Sequence, residues 1–76
     1  LKYERIKELR TDSDTTQKQI SDFLNIAQRT YSHYENGDRN IPNELLCQLA
    51  DYYNVSTDYL LNRTNKKEPY PNNKKN

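Results

Sequence analysis

The chain has 76 residues, 30% of them charged, with one glycine, three prolines and one cysteine, which allows a single small core near the lower size limit for folding without disulfides. The lone Cys47 excludes an intramolecular disulfide framework and any cysteine-pair metal site. No stretch approaches the roughly 20 apolar residues of a membrane span, and no charged-then-apolar leader is visible. A reducing, cytoplasmic setting without a membrane partner is therefore expected. Because the chain begins at Leu1 rather than Met, residues of a longer parent are expected at either end. The net charge of +1 conceals an asymmetry, with +4 on residues 62–76 and −3 on residues 1–61. Any site for a polyanion must then be local.

Apolar positions recur at helical spacing up to about residue 61. The first helix is expected over about 2–11, with Ile6, Leu9 and the stem of Arg10 on one stripe, and "TDSD" at 11–14 breaks it. "TQKQ" at 16–19 has the form of a capping box, with Thr16 as the cap and Gln19 reaching back. Ile20, Phe23 and Leu24 follow as the buried face of a second helix. Asn25 suits a left-handed turn, and a third helix runs from about Ala27 to Asn36, stopped by Gly37. After the loop "GDRNIP", Pro42 suits the first turn of a fourth helix carrying Leu45, Leu46, Leu49, Ala50 and Tyr53. Ser56 caps a short fifth helix ending in Leu60 and Leu61, with Asp58 favourable near its N-terminus. From Asn62 onward there is no apolar stripe, and residues 62–76 read as a basic, disordered tail or linker.

On a helical wheel of about 100° per residue, Ala27, Thr30, Tyr31 and Tyr34 of "NIAQRTYSHYENG" share one face. Gln28, Arg29, Ser32, His33 and Asn36 lie opposite, and Glu35 lies at the boundary. A solvated helix face is usually rich in Glu and Lys. This one instead offers amide, guanidinium, hydroxyl and imidazole groups, which are the groups that pair with base edges in the major groove. A bundle helix whose polar side happens to lack Lys and Glu is the plainer alternative, and the pattern alone leaves both open.

The run "TQKQISDFLNIAQRTYSHYENGDRNIPNELLCQLADYYNVSTDYLL", preceded by "RIKELR", resembles the Xre-type helix-turn-helix domain of phage repressors, Cro proteins and many bacterial regulators. The resemblance covers residues 5–61. It implies an all-α, compact five-helix, lambda-repressor-like bundle over residues 1–61, with helices 2 and 3 as the helix-turn-helix. By position it implies that Gln28, Arg29, Ser32 and His33 face base edges, with Gln28 nearest the groove floor. Thr16, Gln17, Asn36, Arg39 and Asn40 would contact phosphates, and Gln17 would also brace Gln28. It further implies that Arg10 pairs with Glu35, and that a homodimer forms at Tyr52, Tyr59 and Leu61. The function that follows is a DNA-binding transcriptional regulator, a repressor acting as a two-fold dimer on a palindromic operator of double-stranded DNA.

The chain departs from the family pattern where Ala27 replaces the usual Ser or Thr cap, which costs about 1 kcal/mol. Thr15, Asn43 and Cys47 occupy usually apolar sites, and Tyr31 is larger than the usual residue. A protein-interaction module, such as an antitoxin or antirepressor partner, is the second reading, motivated by the acidic balance of residues 1–61. Enzymatic chemistry has little support: His33 and Cys47 would supply at most two metal ligands, and a single glycine excludes a glycine-rich phosphate loop. No cofactor and no small-molecule ligand are expected. Cys47 reads as a small buried hydrophobe, and Tyr53 and Leu60 as closing the core.

Overall fold

The computed structural model describes residues 3–69. In order, its helices are α1 (Glu4–Asp12), α2 (Gln17–Leu24), α3 (Gln28–Asn36), α4 (Asn43–Tyr53) and α5 (Thr57–Leu60). No strand occurs among the described residues. The fold is therefore all-α, and residues 70–76 of the expected tail lie outside the described residues.

Each helix places one apolar side chain wholly out of solvent: Ile6, Ile20, Tyr31, Leu49 and Leu60. Burying such a side chain contributes about 1.5–3 kcal/mol, so this small core depends on all five helices at once. Tyr3 joins it, and its hydroxyl accepts the Ile41 backbone N–H at 3.1 Å, tying the start of α1 to the loop before α4.

The capping box at Thr16 forms in both directions. The Thr16 hydroxyl accepts the Gln19 N–H at 3.0 Å, and the Gln19 carboxamide oxygen accepts the Thr16 N–H at 2.8 Å. Ser56 likewise accepts the Tyr59 N–H at 3.0 Å to start α5. Pro42 lies one residue outside α4, in the N-cap position rather than within the first turn.

All five helices end in the same way. A residue with left-handed backbone follows each of them: Asp14, Asn25, Gly37, Asn54 and Asn62. In each case two backbone N–H groups fold back onto the last turn, as in Asn25 to Asp22 with Ile26 to Ser21, and Gly37 to Tyr34 with Asp38 to His33. This is the Schellman pattern, which satisfies carbonyls that the helix leaves unpaired. Four of these positions use Asn or Asp, the non-glycine residues that tolerate left-handed backbone best. A chain with one glycine can therefore end five helices abruptly.

Three residues lie elsewhere than their periodicity predicts. Phe23 is 48% exposed, because its neighbour across the surface is Tyr52, with ring centroids 4.7 Å apart, and among the described residues no further element covers the pair. Ala27, assigned to the core face of α3, is exposed at the N-cap, where the chain has not yet entered the helix. Cys47 is exposed rather than buried, since the stripe of α4 facing the core is Leu46, Leu49 and Ala50.

Just beyond Leu61, the chain also behaves differently from a free tail. Arg5 donates to the backbone carbonyls of Tyr59 and Thr64 and to the Asn65 side chain. The Ser56 N–H donates to the Lys67 carbonyl at 2.9 Å. Residues 62–67 thus lie against α1 and α5, held in part by the Arg5 guanidinium.

Candidate nucleic-acid interface

The turn between α2 and α3 is built from Asn25 and Ile26, whose N–H groups close α2 before Ala27 starts α3. Ala27 has extended backbone and offers no side-chain cap. From there α3 turns Tyr31 and Tyr34 into the core, with Thr30 half-buried beside them. Gln28, Arg29 and Asn36 are exposed on its other side, and Ser32 and His33 are half-buried. The structure thus puts the five polar side chains on the accessible face of a helix whose opposite face is fixed.

What fixes that helix is Glu35, only 2% exposed. Its carboxylate accepts hydrogen bonds from Arg10 Nε and Nη2 on α1, from Gln17 Nε2 on α2 at 3.1 Å, and from the Tyr31 hydroxyl at 2.6 Å. Arg10 Nη1 also donates to the Thr15 carbonyl at 2.9 Å. One carboxylate therefore holds α1, α2 and α3 in register. Burial alone would push the Glu35 carboxyl up, but the hydrogen bonds from Arg10, Tyr31 and Gln17 outweigh it and hold the carboxyl below its usual range. Burial and the bond to Glu35 push the Tyr31 phenol in the opposite direction, upward, so it stays protonated as a donor.

The expected phosphate-contact residues divide into two sets. Asn36, Arg39 and Asn40 are exposed at the end of α3 and in the loop that follows. Thr16 and Gln17 are engaged internally, Thr16 as the cap of α2 and Gln17 with Glu35. The bracing partner of Gln17 is thus Glu35 rather than Gln28, because a buried carboxylate needs its remaining lone pairs satisfied. Sequence periodicity showed Glu35 at a boundary but had no signal for Gln17 as its third-helix tie. The sequence reading also missed Asp38, whose carboxylate Oδ2 lies 3.2 Å from His33 Nδ1. Its signal was positional: Asp38 directly follows the glycine that ends α3.

Away from α3, Tyr52 is 44% and Leu61 38% exposed. Tyr52 packs on Phe23 and edge-on to Tyr53 at 5.0 Å. Tyr59 is half-buried, with the Arg5 guanidinium 4.2 Å above its ring and the Lys67 ammonium 5.8 Å away. Of the three expected interface residues, Tyr59 is therefore already covered by the chain's own cations. Among the described residues no helix is long and apolar enough to cross a membrane.

A capped helix, a tight left-handed turn and a second helix with an exposed hydrogen-bonding face, locked to a small helical bundle, define a helix-turn-helix protein. The family model described as Helix-turn-helix matches residues 6–60, and the chain belongs to that family, in its Xre-like form. It is 42% identical over 59 residues to the HTH-type transcriptional regulator ImmR of Bacillus subtilis (strain 168), a match covering 78% of this chain and 46% of that protein. It is 37% identical over 68 residues to the HTH-type transcriptional regulator AnsR of the same strain, covering 90% and 59% respectively. The SPbeta prophage-derived uncharacterized HTH-type transcriptional regulator YonR, also of that strain, is 38% identical over 61 residues, covering 80% and 56%. The chain spans about half the length of the curated relatives it matches.

Proposed function

We propose that the protein is a sequence-specific regulator of transcription that binds double-stranded DNA through α3 and represses by occupying its operator. The carrying observation is the accessible set Gln28, Arg29, Ser32 and His33 on a helix locked by Glu35. An amide and a guanidinium on one helix face match adenine and guanine edges, each good contact being worth about 1–3 kcal/mol of discrimination. Asn36, Arg39 and Asn40 supply backbone contacts beside them, and the N-terminus of α2 at the exposed Thr16 approaches the neighbouring phosphates, with the half-buried Gln17 behind it. Residues 1–61 carry −3, which limits nonspecific attraction to phosphate. A two-fold dimer on a palindromic site compensates by doubling the contacts, with half-sites about one helical turn apart.

Selection of bound sites from a random DNA pool, followed by mobility-shift titration, tests this reading. A palindromic site is expected, and Gln28→Ala or Arg29→Ala should lower the preference for it by about 1–3 kcal/mol. Unchanged preference in both variants would remove α3 from the reading role. The acidic balance of residues 1–61 favours a second reading, a module that binds another protein; its mark would be a stoichiometric protein complex with no salt-sensitive DNA binding.

A further inference from the structure

The helix-ending pattern after α3 differs from those after α2 and α4 in one respect. In a Schellman motif the residue after the left-handed one commonly makes an apolar contact back to the last turn. Ile26 and Val55 occupy that place after α2 and α4. After α3 the same place is held by Asp38, whose N–H donates to the His33 carbonyl at 2.9 Å. Its carboxylate meets the His33 imidazole of the same residue, Oδ2 to Nδ1 at 3.2 Å. The backbone bond and the left-handed Gly37, with φ of 83°, place the exposed Asp38 side chain beside the face of α3 that carries His33.

An ionised carboxylate only accepts hydrogen bonds, so the ring nitrogen facing it must carry the proton. We infer that Asp38 is a positioning residue that holds the His33 imidazole with its proton on Nδ1, so that a singly protonated ring presents a bare Nε2 as an acceptor to DNA. The bond made by one imidazole nitrogen sets what the other can do. A bare Nε2 selects a base edge that offers an amino group, which in the major groove means the N6 amino group of adenine or the N4 amino group of cytosine. It is mismatched to guanine and thymine edges, which offer acceptors at the corresponding places. Asp38 itself need not touch a base, and its carboxylate would be repelled by phosphate if it did. This role rests on α3 reading base edges as proposed above.

Two measurements separate the two ideas. In the free protein, nitrogen-15 spectra of His33 in mildly alkaline buffer should show the Nδ1–H tautomer, switching toward Nε2–H in Asp38→Ala. An Nε2–H tautomer in the wild-type protein, or a doubly protonated ring in the DNA complex, would overturn the assignment. In site selection, comparing wild type with His33→Ala identifies the base pair that His33 faces. Asp38→Ala should then lower the adenine or cytosine preference at that same pair by about fivefold, the worth of one hydrogen bond, with far-UV circular dichroism unchanged. If His33→Ala alters no base pair, the reading role of His33 fails. If His33→Ala alters one and Asp38→Ala leaves it untouched, only the role of Asp38 fails.

Discussion

Glu35 joins three helices through one side chain, since it accepts from Arg10, Gln17 and Tyr31 while almost wholly buried. Removing one partner of such a pair leaves a buried charge uncompensated, so Arg10→Ala should cost about 3 kcal/mol in urea unfolding. The pH dependence follows from the depressed Glu35 value. A carboxyl held lower in the folded than in the unfolded state contributes stability that is complete above the ordinary carboxylate range and is lost as pH falls through the folded value. Thermal melts should therefore drop in that acidic window, and Glu35→Gln should flatten the slope there. Tyr53 is the opposite case. Its hydroxyl is buried without a hydrogen-bond partner among the described residues, and burial pushes the phenol up to about 12. Tyr53→Phe should be neutral or stabilising by up to about 1 kcal/mol in the same unfolding assay, because an unsatisfied polar atom is removed with little change of shape.

At the scale of elements, the two helices of the helix-turn-helix begin differently. α2 starts on a complete capping box, whereas α3 starts on Ala27 with no side-chain acceptor. Ala27 already has the extended backbone of a cap, so Ala27→Ser should stabilise the protein by about 1 kcal/mol without changing the fold, as read by a rise in the melting midpoint. The capping box and the stops at Asn25 and Gly37 were legible in the sequence because they depend on residues within one turn of each other. The bond from Gln17 to Glu35 was not, because it joins positions 18 apart that come together only when α2 crosses α3. Phe23 was misplaced for a related reason: periodicity says which residues share a face, but not how far the neighbouring helix reaches across it.

For the whole molecule, the exposed Tyr52 with Phe23, and Leu61 beyond the end of α5, are the apolar surface available for the proposed two-fold dimer. Exposed aromatic groups of this kind commonly form the centre of an interface. Tyr52→Ala combined with Leu61→Ala should weaken self-association by about tenfold, or 1.4 kcal/mol, in sedimentation equilibrium, while Tyr59→Ala should act mainly through stability, since Arg5 and Lys67 pack on that ring. Equal self-association in wild type and the double variant would move the interface elsewhere. Residues 62–67 form a strap beside α1 and α5, within the segment that composition had suggested as a disordered tail or linker from Asn62.

The sequence by itself determined the number and order of helices, the caps at Thr16 and Ser56, the stops at Asn25 and Gly37, and which polar side chains of α3 lie opposite its core face. These follow from local rules, namely helical periodicity and hydrogen bonds between near neighbours, which act before any tertiary contact forms. Only the tertiary structure decided which helices share the Glu35 carboxylate, why Phe23 stays at the surface, and where Arg5 holds the chain after α5. Those outcomes depend on groups distant in sequence satisfying one another's charge and hydrogen-bonding needs, a condition that no local pattern encodes.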